Sequence, residues 1–219
     1  MMRVNRKPVI EGLYALTPDS QKNGPLDTAT MLHRTQQAIQ GGMRVLQYRN
    51  KIADAALMRE QAQALREITR QHGVAFIIND DPALAHQVDA DGVHLGRDDG
   101  DIAAARAVLG PVKIIGVSCY NEPARAVAAQ AAGADYVAFG AFYSSSVKPD
   151  AVAASVDMLR EARRVISLPI VAIGGITAEN GGVLVAAGAN ALAVISAVYA
   201  APDVLQAARD ISNIFNINK

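Results

Sequence analysis

The chain has 219 residues, 51% hydrophobic and 19% charged, with 21 basic side chains balanced by 21 acidic ones. That composition supports a substantial core, and zero net charge removes the electrostatic case for nucleic acid or an anionic membrane as partner. One cysteine excludes a disulfide framework and a thiolate metal cluster, and with no signal peptide or membrane-length apolar run the chain reads as cytoplasmic.

Short β-type runs alternate with longer helical patterns from end to end. Strands are predicted over 12–16, 45–48, 75–78, 92–95, 114–118, 136–139, 170–173 and 191–195. Helices are predicted over 28–40, 55–71, 82–88, 101–109, 122–132, 151–166, 178–187 and 203–214, with Asp27, Asp54 and Thr177 as N-cap candidates. A quasi-repeat leads into the later strands: Ala131-Ala132-Gly133-Ala134-Asp135-Tyr136-Val137 resembles Ala186-Ala187-Gly188-Ala189-Asn190-Ala191-Leu192, and Val88-Asp89-Ala90-Asp91-Gly92-Val93 is a weaker third copy. One βα unit used repeatedly, with no long linker, predicts a single (β/α)8 TIM barrel spanning residues 1–219. An open doubly wound sheet would need a glycine fingerprint after the first strand, where Thr17-Pro18-Asp19 stands instead.

A barrel of this type carries its chemistry at the C-terminal ends of the strands. The first strand offers little there. The second runs out into Gln47, Arg49 and Lys51, which alternation by two places on one face. Arginine supplies a planar fork for phosphate and lysine a mobile point charge, so this stretch predicts a polyanionic ligand. The third strand ends in Asn79-Asp80-Asp81-Pro82, where Asp81 reads as the cap of the helix that Pro82 begins. The fourth leads into Gly96-Arg97-Asp98-Asp99, and Asp98 serves equally well as a helix-start residue. Asp80 and Asp99, from neighbouring strands with no His or Cys beside them, suit a hard cation such as Mg2+.

The fifth strand ends at Ser118, followed by Cys119, a nucleophile candidate that reads better as a passive small residue. After the sixth strand comes Ala141 to Pro149, a hydroxyl-rich loop closing on Lys148, either an anion cradle or an ordinary loop. The seventh strand ends in Gly174-Gly175 and the eighth in Ile195-Ser196 ahead of another helix. Glycines let backbone N–H groups approach a phosphate, and the last two strands of barrels commonly form a phosphate site. Two anion-binding regions result, one cationic with a metal, the other built from backbone.

Taken in order, Gln47 to Lys51, Ile78-Asn79-Asp80, Asp91-Gly92-Val93-His94-Leu95-Gly96 with Asp99, Gly116-Val117-Ser118, the 140–148 loop, Ala172-Ile173-Gly174-Gly175-Ile176 and Ile195-Ser196 resemble the thiamine-phosphate synthase (thiamine-phosphate pyrophosphorylase) family. Each piece is weak, but the ordered set covers nearly the whole chain. The resemblance implies a transferase of thiamine biosynthesis. Such an enzyme joins 4-amino-5-hydroxymethyl-2-methylpyrimidine diphosphate to a thiazole phosphate, releasing pyrophosphate. It implies that Gln47, Tyr48, Arg49, Asn50, Lys51, Asn79, Ser118 and Lys148 hold the pyrimidine diphosphate. Arg49, Lys51, Ser118 and Lys148 would carry the catalysis, and Asp80 and Asp99 one Mg2+. The thiazole phosphate would fall to Ser145, Ser146, Val147, Gly175, Ile195 and Ser196. The partners implied are these small molecules, and a homo-oligomer is compatible with them.

Family members usually have threonine at the position of Val147 and Pro or Thr near Ser144, so the loop after the sixth strand departs from the pattern. A thiazole tautomerase-like relative would lack the diphosphate and metal ligands that this chain keeps. A ligand-binding regulatory barrel would not turn over, and a Schiff-base aldolase would need a lysine inside a strand, where the predicted strands place none.

Overall fold

The computed structural model describes residues 7–20, 26–97, 100–144 and 153–217, with residue 217 described by its backbone alone. Its eight strands are β1 (Gly12–Leu16), β2 (Met43–Tyr48), β3 (Ala75–Asn79), β4 (Gly92–Leu95), β5 (Ile114–Tyr120), β6 (Tyr136–Phe139), β7 (Ile170–Ile173) and β8 (Ala191–Val194). They pair in parallel with their sequence neighbours, and β8 returns to β1, closing the barrel that the alternating pattern predicts. The helices are α1 (Thr28–Gln40), α2 (Ala55–His72), α3 (Pro82–Gln87), α4 (Ile102–Leu109), α5 (Pro123–Ala131), α6 (Val156–Val165), α7 (Gly182–Ala186), α8 (Ser196–Tyr199) and α9 (Val204–Ile217). Among the described residues no helix is long and apolar enough to cross a membrane.

Alternation along each strand divides the core in two. Leu13, Leu46, Phe76 and Leu192 pack outward against the helices. Their neighbours Tyr14, Val45, Ile77 and Ala191 fill the lumen. The helices start where a short acceptor side chain can reach the free N–H groups of a first turn. Asp27, Asp54, Asp81, Asp101 and Ser155 each accept from the backbone N–H three residues on. Thr177 does not cap α7, which begins at Gly182 behind Gly181. Asn180 takes the Thr177 N–H at 2.8 Å and donates to Gly175 O at 3.0 Å, closing a turn where a helix is predicted to start.

The quasi-repeat has a physical meaning with a period of two βα units. The residue before β4, Asp91, accepts the Phe76 N–H of β3 at 2.8 Å and Arg66 of α2 at 3.0 Å. Before β6, Asp135 accepts the Ile115 N–H of β5 at 2.9 Å and Arg106 of α4 at 2.8 Å. Before β8, Asn190 accepts the Ile170 N–H of β7 at 2.8 Å and Arg163 of α6 at 3.2 Å. Each therefore clamps an odd strand to the helix preceding it at the N-terminal rim, opposite the strand ends that carry the chemistry. Asp135→Ala is expected to destabilise the fold by ~1–3 kcal/mol, because it leaves the Ile115 strand N–H without its acceptor and removes the carboxylate partner of Arg106 and Lys7. Asp135→Asn should cost less, since Asn190 performs the same task. Urea unfolding tests both, and an alanine variant as stable as wild type would refute the clamp.

Candidate active site

Strand-end geometry at β1 and β2 is set by two residues just past β1. Thr17 is fully buried. Its N–H donates to Gln47 O at 2.9 Å. Its hydroxyl accepts the Arg49 N–H and donates to Arg49 O, each at 2.8 Å. Asp19 accepts from the Arg49 guanidinium at 3.1 Å and from the Lys51 N–H at 2.8 Å. This pair fixes the backbone just past Tyr48, where β2 ends and a bend begins at Lys51. Sequence reasoning passed over Thr17 and Asp19; their position directly after a strand end was the available signal.

Tyr48 and Asn50 occupy the opposite face. The Tyr48 hydroxyl donates to Gln61 of α2 at 2.9 Å, and Asn50 donates to Gln61 at 3.0 Å and to Ser20 O at 2.8 Å. Both are buried in that network. Their side chains brace the end of β2 against α2 and the residues after β1.

Asp80 has φ of 65°, a left-handed conformation that costs a non-glycine residue about 1–2 kcal/mol. Its N–H donates to His94 O at 2.8 Å, its carboxylate accepts from Asn79 Nδ2, and Lys51 Nζ lies 3.6 Å away. Asn79, Asp80 and Lys51 are thus brought together from β2 and β3. Asp81, one residue on, is spent as the cap of α3. Among the described residues no cluster of three His, Cys, Asp or Glu side chains could hold a metal ion. Asp98 and Asp99 lie outside the described residues, as do Ser145, Ser146, Val147 and Lys148.

Ser118 Oγ stands 2.8 Å from His94 Nε2, and His94 Nδ1 lies 2.9 Å from the Tyr136 hydroxyl. That hydroxyl is 2.8 Å from the Tyr14 hydroxyl, which accepts from Gln47 Nε2 at 2.7 Å. The sequence reading gave no site role to Tyr14, Tyr136 or His94, which meet only once the barrel closes. Burial drives both phenols well above their ordinary range, so both remain protonated. Cys119 points away from this group. Burial pushes its thiol up to about 12, which leaves no thiolate at neutral pH and supports the passive reading.

At the other side of the mouth, backbone bonds zip the loops after β6 and β7 together: Phe142 N–H to Ile173 O at 3.1 Å and Tyr143 N–H to Gly174 O at 3.0 Å. Gly175, at φ of 59°, allows this approach, since a Cβ there would meet Ser144 O at 2.5 Å. The glycines therefore have a packing role beside the phosphate role read from sequence. Ile195 stands at the N-cap position of α8 without a side-chain capping bond, and α8 opens with Ser196; opening N–H groups of a helix have no partner within it.

A family model described as thiamine monophosphate synthase matches residues 13–198. The chain belongs to this family. Thiamine-phosphate synthase of Azoarcus sp. (strain BH72) is 53% identical over 206 residues, 94% of this chain and 98% of that one. The Methylobacillus flagellatus thiamine-phosphate synthase is 51% identical over 209 residues, 95% and 97% of the two chains. Thiamine phosphate pyrophosphorylase from Pyrococcus furiosus superposes with a TM-score of 0.83 at 32% identity, covering 98% of each chain. A 3-hexulose-6-phosphate synthase, at 17% identity and a TM-score of 0.66 over 92% of this chain and 99% of that one, shares the barrel alone. The motifs quoted from the sequence for the thiamine monophosphate synthase family span β2 to α8.

Proposed function

We propose that this chain is a transferase that condenses 4-amino-5-hydroxymethyl-2-methylpyrimidine diphosphate with a thiazole phosphate, in cells the carboxylated form, giving thiamine phosphate and pyrophosphate. Family membership supports the reaction. The observation that carries it to particular residues is the rim of β2, where Thr17 and Asp19 hold Arg49 and Lys51 in place and Lys51 stands beside Asp80. A guanidinium and an ammonium arranged this way before binding suit a diphosphate leaving group.

The reaction needs no protein nucleophile. Loss of pyrophosphate leaves a pyrimidine-methyl cation, supported by the ring amino group, and the thiazole nitrogen captures it. Arg49, Lys51 and Lys148 meet the charge that develops on the departing oxygens, and Ser118 supplies a hydroxyl. Gln47 and Asn79 orient the pyrimidine. Gly175, Ile195 and Ser196, with Ser145, Ser146 and Val147, receive the thiazole phosphate and hold its nitrogen in line for attack. Asp80 is a hard oxygen donor at the rim and, with Asp99, would hold a magnesium ion. An ion held there would supply charge neutralisation at the phosphate oxygens. We place the enzyme in the cytoplasm.

Purified protein with both substrates and Mg2+ should form thiamine phosphate and pyrophosphate in equal amounts, and EDTA should stop it. Thiazole-phosphate binding without product would refute the synthase reading. Lys148→Ala should depress kcat more than it raises the KM for thiazole phosphate. A rise confined to that KM would move Lys148 to the other substrate.

A further inference from the structure

Five side chains from five strands form one line of hydrogen bonds across the lumen. Gln47 Nε2 of β2 donates to Tyr14 of β1 at 2.7 Å. The Tyr14 and Tyr136 hydroxyls of β1 and β6 are 2.8 Å apart. Tyr136 lies 2.9 Å from His94 Nδ1 of β4, and His94 Nε2 lies 2.8 Å from Ser118 of β5. Tyr14 is 1% exposed and Tyr136 not at all, so solvent cannot reset the order of protons between them.

A phenol carries one proton, and a neutral imidazole one N–H. With His94 neutral, the donor at one end of the line sets the direction of every bond along it. Because Gln47 donates to Tyr14, the Tyr14 proton goes to Tyr136 and the Tyr136 proton to His94 Nδ1. His94 then carries its own proton on Nε2 and donates it to Ser118 Oγ. That leaves the Ser118 O–H to donate outward and the Gln47 Oε1 to accept. We infer that Tyr14, Tyr136 and His94 are positioning residues that polarise the mouth, presenting Ser118 as a donor and Gln47 as an acceptor. The ligand class that fits is an amino-substituted heterocycle carrying an anion. The amino group would donate to Gln47, and an anionic oxygen or ring nitrogen would accept from Ser118. The identity of that ligand rests on the proposed function; the direction of the relay does not.

The direction is read from the 15N shifts of His94 in the ligand-free wild-type protein, assigned with His94→Gln. The expected result is a protonated Nε2 and a bare Nδ1. A protonated Nδ1 would mean the line runs the other way and would overturn the inference. Kinetics supply the second arm. Tyr14→Phe removes one oxygen and leaves Gln47 without its inward partner. It should raise the KM for the pyrimidine diphosphate roughly tenfold while that for thiazole phosphate stays within about twofold. His94→Gln, which keeps a donor near the place of Nε2, should retain more of that affinity than His94→Asn, which does not. Equal increases for both substrates after Tyr14→Phe would reduce the relay to general packing and overturn it. Wild-type protein that forms no thiamine phosphate would sink the functional reading and leave the tautomer result standing.

Discussion

Asp80→Ala is expected to lower magnesium-dependent turnover about a hundredfold to a thousandfold, in line with the several kcal/mol that a metal clamp contributes to a phosphoryl-type leaving group. The carboxylate stands at the rim beside Asn79 and Lys51, and its backbone is held at φ of 65°. That conformation separates its two roles. Asp80→Gly removes the carboxylate too, yet accepts the left-handed backbone freely, and should be about 1 kcal/mol more stable than the alanine variant. Two inactive variants of different stability would show that the carboxylate serves the reaction and that its strained backbone is tolerated for it. Titration of turnover against Mg2+ gives the first comparison and urea unfolding the second. A magnesium response like that of wild type in either variant would remove Asp80 from the metal site.

Much of the barrel was legible because alternation is a local property. β1, β4, β6 and β7 fall where the apolar runs put them. β5 runs on to Tyr120 rather than stopping at Ser118, since strand pairing continues beyond the apolar residues. α7 is shorter than its pattern, because Asn180 folds the preceding residues into a turn and two glycines follow. The repeat before β4, β6 and β8 was visible as sequence, but the reason for its Asp and Asn was not. Each acceptor is used 15 or 20 residues away, on the first part of the preceding strand.

The site divides along the same line. Gln47, Arg49 and Lys51 could be read as a group from their spacing, whereas the bonds of Tyr48 and Asn50 to Gln61 could not. Thr17 and Asp19 act on a strand end 30 or 32 residues away. Tyr14 and Tyr136 meet across 122 residues. Nothing in the local pattern around either tyrosine distinguishes it from ordinary lumen packing. Only closure of β8 onto β1, which sets the register of every strand, turns two core aromatics and a histidine into neighbours.

Gly116 is where packing and the relay depend on one atom. A Cβ there would stand 2.0 Å from Tyr136 Cζ and 2.2 Å from its Cε1. The Gly116 backbone is paired with His94 on one side and Tyr136 on the other, so it cannot withdraw. Gly116→Ala must therefore displace the Tyr136 ring. A destabilisation of about 3 kcal/mol is expected, the upper end for overpacking where neighbours are fixed. With the ring moved, the hydrogen bonds to Tyr14 and His94 break, and the KM for the pyrimidine diphosphate should rise roughly tenfold. Pairing Gly116→Ala with Tyr136→Leu removes the clashing ring atoms, and the two changes should couple favourably by ~1–3 kcal/mol in unfolding. Stability should then recover while the KM does not, because leucine restores the space but carries no hydroxyl. Simple additivity of the two stability changes would mean that Gly116 is not there to admit the tyrosine. Recovery of the KM together with stability would mean that the Tyr136 hydroxyl, and the line of bonds through it, does not orient the site.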